Sequence, residues 1–146
     1  RSAEECKIVE SELRKSCDLA KILQRKELEN YALIPTAIDR TIQNRLDDRA
    51  RRLAESASFT EDVGILLRTL TEPLKNRISS KYMERRRPFE KAKAPHRDIS
   101  TIDEQLMTEF DTIWVSDRRL EIVPGKEVYA LLNKYLQQSK VFAPFH

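Results

Sequence analysis

Apolar residues recur every three or four positions along most of the chain, which is the period of an amphipathic α-helix. The first such stretch covers about residues 3–34 and contains neither proline nor glycine. It predicts one long helix of about 30 residues, roughly 45 Å in length. Its apolar stripe is narrow, as in a coiled coil or a long arm of a bundle. The stripe consists of Cys6, Val9, Leu13, Cys17, Ala20, Leu23, Leu28 and Tyr31.

The same period predicts shorter helices after Pro35, over about residues 37–57, 63–82, 100–113 and 126–140. Thr36, Thr60 and Ser100 precede three of these stretches and are predicted N-caps. Pro73 lies inside the third region, where it either kinks one helix or starts a new one. The sequence leaves both interpretations open.

Two segments near the C-terminus look extended. "TIWV" at residues 112–115 is β-branched and aromatic, and "RRLEIVPG" at 118–125 ends in a Pro-Gly turn signal. The chain has only two glycines, which leaves few positions for the positive-φ turns of a many-stranded sheet. The sequence therefore predicts an all-α fold: a helical bundle with a long N-terminal helix and a short extended segment before the C-terminal helix.

Positive charge is concentrated in the middle of the chain. Residues 75–97 contain nine Lys or Arg and two Glu, whereas the whole chain has a formal net charge of +3. The helical period fades near Met83, and Pro88 and Pro95 follow it. We therefore divide the chain into three regions: a helical arm and hairpin at 1–87, a basic proline-containing linker at 88–99, and a C-terminal helical segment with an apolar tail at 100–146.

The basic segment has four interpretations: an acidic protein surface, a solvated linker, nucleic acid or a membrane surface. Arginine forks bind carboxylate and phosphate alike, and Tyr82 and Phe89 would stack on bases if the ligand were single-stranded nucleic acid. Cations at a helix C-terminus also have a structural use, since they complement the helix dipole. An acidic protein is favoured. The predicted basic partner-binding residues are Lys81, Arg85, Arg86, Arg87, Lys91, Lys93 and Arg97.

Apolar residues at exposed or terminal positions supply a second set of candidates. A lone tryptophan is more often a core residue, but Trp is also enriched at interface hot spots. The tail "VFAPFH" docks either on its own domain or on a partner, and the sequence leaves both open. The predicted apolar partner-binding residues are Leu13, Leu28, Trp114, Phe142 and Phe145.

Catalytic and metal-binding motifs are missing from the sequence. His96 and His146 lie apart, and neither CxxC nor HxxxH occurs, so we expect no enzyme, cofactor or metal site. On one continuous helix, Cys6 and Cys17 would be roughly 16 Å apart, too far for a disulfide. Free thiols suggest an intracellular reducing compartment: cytoplasm or nucleus, with an organelle matrix still open. No apolar run is long enough to span a membrane.

These observations favour a non-catalytic helical scaffold or interaction subunit of a larger assembly. Helix 1 would join other subunits in a homo- or hetero-oligomer, and the basic segment would contact an acidic surface. The alternative is a helical nucleic-acid-binding protein, for example a component of a ribonucleoprotein particle. Because the chain starts without Met, we expect a fragment or a processed chain.

Overall fold

The computed structural model describes residues 3–23, 25–54 and 58–139. Over these ranges the chain forms helices and no strand, which confirms the all-α prediction. The α-helices are α1 (Ala3–Leu13), α2 (Pro35–Leu53), α3 (Val63–Thr71), α4 (Lys75–Lys93), α5 (Ile99–Val115), α6 (Arg119–Ile122) and α7 (Gly125–Gln138). Short 3₁₀ turns span Leu28–Tyr31 and Glu72–Leu74.

The helices belong to two compact units, and each unit uses two separate pieces of the chain. The first unit takes its described residues from 1–26 and 74–122, and the second takes them from 27–73 and 123–146. These units do not follow the predicted region boundaries at residues 87 and 99. The bundle arrangement stays a prediction.

The prediction of a long N-terminal helix is wrong. α1 ends at Leu13, and the turn after it is closed by hydrogen bonds such as that from the Ser16 N–H to the Leu13 carbonyl (3.0 Å). Ser16, Cys17 and Asp18 are weak helix formers. The chain beyond them returns to α1, because the Ile22 N–H donates to the Glu10 carboxylate at 2.6 Å.

The cysteines are consequently not on one helix. Cys6 lies on α1, whereas Cys17 follows it and its thiol donates to the Leu13 carbonyl at 3.1 Å. Both thiols are free.

The second unit is built mainly from α2, α3 and α7. Pro35 is the first residue of α2, where its missing N–H costs nothing. The C-cap residue of α2 is Ala54, which adopts a left-handed φ of 52° although it is not glycine. Gly125 begins α7, and a Cβ there would lie 2.9 Å from the Asn30 side chain. The core of this unit includes Leu33, Ile38, Ile42, Leu46, Phe59, Val63, Leu66, Leu67, Val123, Val128, Leu132 and Leu136.

Each of the three predicted N-caps is wrong by two residues. α2 begins after Ile34 rather than at a Thr36 cap, and α5 begins after Asp98 rather than at Ser100. The cap of α3 is Asp62, whose carboxylate accepts from the Ile65 N–H at 2.9 Å, so Thr60 is not the cap. Thr60 and Asp62 are both suitable capping residues for α3, whereas the N-cap residues of α2 and α5 accept no side-chain capping hydrogen bond.

Around Pro73 the helix is interrupted rather than only bent. α3 ends at Thr71, a 3₁₀ turn covers Glu72–Leu74, and α4 starts at Lys75. Thr71 is not a cap for α4, because its hydroxyl donates back to the Leu67 carbonyl at 2.8 Å. The 3₁₀ turn accommodates the missing N–H of the proline.

The first unit is organised around α4 and α5. Its buried apolar residues are Ala20, Ile78, Ile102, Leu106, Phe110, Ile113, Trp114 and Leu120. Phe110 lies between two aromatic rings: its centroid is 5.6 Å from that of Tyr82 and 5.5 Å from that of Trp114. This aromatic row joins the middle of α4 to the end of α5.

Residues 88–93, predicted to belong to a linker, are the last turns of α4. Pro88 lies inside the helix. It has no N–H to donate to the Glu84 carbonyl, a loss that usually breaks a helix. Ion pairs just before it tie α4 to α5 and hold the helix in place: Arg86 with Glu109, and Arg87 with Asp103.

The predicted extended segment is also helical. Residues 112–115 form the last turn of α5, and 119–122 form α6. β-branched and aromatic residues favour strands only weakly, and the burial of Ile113 and Trp114 in the first unit's core outweighs that preference. The C-terminal helix is confirmed as α7, whereas the apolar tail from residue 141 lies outside the described residues.

Candidate partner-binding surface

The basic segment lies almost entirely on α4, and its arginines are not equivalent. Arg85, Arg86 and Arg87 are consecutive, so their side chains leave the helix about 100° apart. Arg85 is exposed, Arg86 is buried and Arg87 is half-buried. The three residues therefore have to be considered one at a time.

Arg86 is part of the interior of the first unit and is only 7% exposed. Its guanidinium donates to Glu109 at 3.0 and 3.3 Å and to Glu90 at 3.0 Å. It also donates to the Tyr82 hydroxyl at 3.1 Å and lies 5.5 Å from the centre of that ring. A partner has no access to a side chain held in this way.

The electrostatics of this cluster are consistent with an internal ion pair. Burial opposes the charge of Arg86, but its bonds to Glu90, Tyr82 and Glu109 outweigh that effect and raise the pKa of the guanidinium. Burial, with a contribution from Glu109, raises the pKa of Tyr82 well above its usual range. At neutral pH the guanidinium of Arg86 therefore stays charged and the phenol of Tyr82 stays neutral.

Arg87 forms a two-pronged ion pair with α5. Its Nε and Nη2 donate to the two carboxylate oxygens of Asp103 at 2.7 and 2.9 Å. The hydrogen bond to Asp103 raises the pKa of Arg87. The two donors of Arg87 that bind Asp103 are the ones that would otherwise bind a carboxylate or phosphate of a partner.

The basic residues after Pro88 also have contacts within the first unit. The Lys91 ammonium donates to the carbonyls of Pro95 and Arg97 at 2.8 and 2.6 Å, which ties α4 to the turn that leads into α5. Lys93 forms an ion pair with Glu4 of α1. Arg97 donates to the Gln105 side chain at 2.8 Å. Their positive charge thus serves the fold.

Lys81 and Arg85 differ from the other five candidates. Within residues 3–23, 25–54 and 58–139, neither has an ion-pair or hydrogen-bond partner for its side chain. Both are exposed, and they are four residues apart on α4. That spacing puts them on the same side of the helix, about 6 Å apart along its axis. Of the predicted basic residues, these two retain charge that is available to a partner.

Lys81, Glu84, Arg85 and Pro88 follow the i, i+3, i+4, i+7 spacing and form one exposed stripe, which we call the outer face of α4. Beside it lies an open groove of about 450 Å³ between α4 and α5. The groove is lined by Ser79, Ser80, Met83, Glu84, Arg87, Pro88 and Met107. Both methionines of the chain are in this list.

The sequence did not reveal this groove. Met107 is 54% exposed on α5, and Met83 is half-buried on α4, but they are 24 positions apart in the sequence. The acidic partners Asp103 and Glu109 were missed for the same reason. Which α5 residues meet α4 depends on the register of the two helices, and no local spacing fixes that register.

The predicted apolar residues have different surroundings. Leu13 is 46% exposed at the end of α1, and Leu28 is 71% exposed in a 3₁₀ turn of the second unit. The prediction that Trp114 binds a partner is wrong, because this residue is only 1% exposed in the core of the first unit. The Arg119 guanidinium lies 4.5 Å from the centre of its indole ring. Phe142 and Phe145 lie outside the described residues.

Other kinds of site have little support among the described residues. No group of three His, Cys, Asp or Glu side chains there is arranged to hold a metal ion. None of the helices in those ranges combines the length and apolar character needed to cross a membrane.

Comparison of the chain with protein-family models, with curated proteins and with solved structures gave no significant match. The surface on α4 therefore has to be interpreted from its own chemistry.

Proposed function

We propose that this protein is a non-catalytic helical interaction subunit, which binds an acidic surface of a partner protein through the outer face of α4. The observation that carries the proposal is the contrast between Lys81 and Arg85, which have no partner in the described ranges, and the neighbouring arginines, which do. Unpaired cations at a fixed spacing on a rigid helix can steer and orient a partner that carries carboxylates.

The size of the available charge favours protein over nucleic acid. A nucleic-acid-binding surface gains most of its affinity from many phosphate contacts. Here Arg86, Arg87 and Lys93 are already paired with carboxylates of the first unit. Two cations beside Glu84 form a small, mixed surface, which suits a few specific ion pairs better than a phosphate backbone.

A comparative pull-down tests the proposal. The parent chain, the double variant Lys81→Gln/Arg85→Gln and a matched control, Arg40→Gln/Arg52→Gln on α2, are used as baits in nuclease-treated extract. We expect the partner to be lost with the α4 variant and retained with the control, which removes two exposed cations elsewhere. The captured protein is then purified, and its complex with the parent chain is reconstituted.

The proposal would be overturned if the reconstituted complex had the same affinity for all three baits at low and high salt. Loss of the interaction upon nuclease treatment would instead favour nucleic acid as the partner.

A further inference from the structure

The two methionines of the chain meet in the groove between α4 and α5. Met83 belongs to α4 and Met107 to α5, and both side chains line the groove. Met107 is 54% exposed, and Met83 is half-buried. A methionine that solvent reaches is open to oxidation, which converts its thioether to a sulfoxide. Both residues of the groove are therefore candidates for this modification.

Oxidation changes the hydrogen bonds that each side chain needs. A thioether is nearly apolar, whereas a sulfoxide is polar and its oxygen accepts hydrogen bonds. At Met107 water can supply the donor, because the side chain is exposed. At Met83 part of the side chain is shielded from water, so its sulfoxide would need donors from the protein itself.

Ser79 and Arg87 provide such donors on either side of Met83. They lie four residues before and four residues after it on α4, and all three side chains line the groove. Long side chains on a helix lean back over the residue four positions earlier, so Met83 leans toward Ser79 and Arg87 toward Met83. Among the described residues, the Ser79 hydroxyl has no hydrogen-bond partner, and Arg87 uses only Nε and Nη2. The Nη1 group of Arg87 is thus a second available donor.

The other residues that line the groove on α4 do not offer a free donor. The Ser80 hydroxyl is already engaged, since it donates to the Asn76 carbonyl at 3.0 Å. An ionised Glu84 side chain only accepts hydrogen bonds, and the Pro88 ring has no polar atom. The neighbouring serines at 79 and 80 therefore differ in what they can do for a sulfoxide.

The ion pairs that hold α4 on α5 do not involve the thioethers. Arg86 is paired with Glu109 and Arg87 with Asp103, so oxidation leaves both pairs in place. We propose that Met83 and Met107 form a reversible oxidation site, at which a peroxide converts both thioethers to sulfoxides while α4 and α5 stay packed.

The reaction is balanced by the peroxide. A sulfur lone pair attacks one peroxide oxygen, so that an S–O bond forms and the O–O bond breaks. The hydroxide that leaves takes the proton of the transferred oxygen and becomes water. Two thiols of a reductase reverse the step: the sulfoxide returns to a thioether with release of water, and the thiols form a disulfide. Lys81 and Arg85 do not line the groove, so the oxidation site is independent of the proposed function.

The proposal is tested on the full chain carrying Cys6→Ser/Cys17→Ser, because both thiols are free and would consume the oxidant. Dilute hydrogen peroxide is added, and oxygen uptake at each methionine is followed by peptide mass spectrometry. We expect Met107 to be oxidised first and Met83 more slowly, in the order of their exposure. The doubly oxidised chain should melt within about 2 °C of the reduced chain. Methionine sulfoxide reductases for the two sulfoxide epimers should restore both residues in the folded chain.

Ser79→Ala tests the donor beside Met83. We expect this variant to melt like the parent when reduced but about 4 °C below the parent when both are oxidised, because the sulfoxide has lost a donor. Ser80→Ala is the matched control and should have the same effect in both redox states. In a Met83→Leu background, the effect of Ser79→Ala should no longer depend on oxidation.

Three results would overturn the inference. They are cooperative loss of the fold upon oxidation, sulfoxides that the reductases fail to reduce in the folded chain, and an equal effect of Ser79→Ala on the reduced and oxidised chains. Partner capture through Lys81 and Arg85 is a separate measurement, so the proposed function would survive each of these results.

Discussion

Arg85 and Arg86 are neighbours in the sequence but lie on two different faces of α4. The inner face, with Ile78, Tyr82 and Arg86, packs on α5 and holds a buried ion-pair cluster. The outer face, with Lys81 and Arg85, is exposed and carries charge without a partner in the described ranges. The same residue type thus stabilises the helix pair on one side and remains available for recognition on the other.

The difference teaches that a run of basic residues has no single role. A helix distributes consecutive side chains around its axis, so the use of each depends on what is packed at that angle. Removal of the Arg86 charge would leave Glu90 and Glu109 without their cation, and burial of Arg85 without a partner would cost desolvation energy. Four predictions test how far the two faces can be separated.

The largest effect is expected for Arg86→Met, which keeps the length of the side chain but removes its charge. Glu90 and Glu109 would then face each other inside the unit without their cation. We expect a loss of about 3 kcal/mol in the free energy of unfolding, toward the low end for a broken buried pair because Glu109 is partly exposed. Urea denaturation followed by circular dichroism measures it.

A rescue variant makes this prediction specific. Adding Glu90→Gln and Glu109→Gln removes the unpaired carboxylates, and most of the lost stability should return. If the triple variant is no more stable than Arg86→Met alone, the loss comes from packing rather than from unpaired charge.

A gain in stability is expected for Pro88→Ala. Alanine restores the N–H that can donate to the Glu84 carbonyl, and proline is far less favourable than alanine inside a helix. Part of the gain is offset because the unfolded chain becomes more flexible. We expect a net increase of about 1–2 kcal/mol, read from the same denaturation curves. A loss of stability would mean that the proline itself is needed for the inner face to pack.

Alkaline pH should lower the free energy of unfolding through Tyr82, which lies on the inner face of α4. The pKa of Tyr82 is higher in the folded protein than in the unfolded chain, where the pKa of a tyrosine is about 10. Folding therefore favours the neutral phenol. The stability that this provides is complete below about pH 10 and is lost as the pH rises toward the folded value. Tyr82→Phe should therefore lose less stability than the parent between about pH 9 and about pH 11, measured by denaturation. If both proteins lost the same stability over this pH range, ionisation of Tyr82 would not be the cause of the loss.

The smallest effect on stability is expected on the outer face. Lys81→Gln/Arg85→Gln removes two exposed cations that have no recorded side-chain partner in the described ranges. The melting curve should match that of the parent within about 0.5 kcal/mol. A larger loss would show that these residues also support the fold, and it would weaken their use as recognition variants.

Much of the fold could be predicted from the sequence because helical periodicity is a local property. The stretches that became α2, α3, α5 and α7 all carried it, and the scarcity of glycine pointed the same way. The prediction of a long first helix was wrong because the narrow apolar stripe continues in the sequence past Ser16 and Asp18, where helix propensity is weak. The prediction of an extended segment was wrong because the strand propensity of Ile113 and Trp114 is overridden by their burial in the first unit.

Less of the candidate surface could be predicted. The sequence located the basic segment, but it could not separate Lys81 and Arg85 from Arg86 and Arg87. That separation depends on carboxylates 16 and 23 positions away, at Asp103 and Glu109. The groove likewise depends on the register that brings Met107 beside Met83.

The two compact units are each assembled from two separate pieces of the chain, and this has a consequence for synthesis on the ribosome. α4 and α5 are close in sequence, so their contacts can form as soon as residue 115 has emerged. The pair between Lys93 and Glu4 joins residues 89 positions apart, so α1 has to wait for the end of α4. The segment 27–73 waits longer still, until α7 is made. Cutting the gene at any one point therefore cannot give two fragments that each fold as a whole unit.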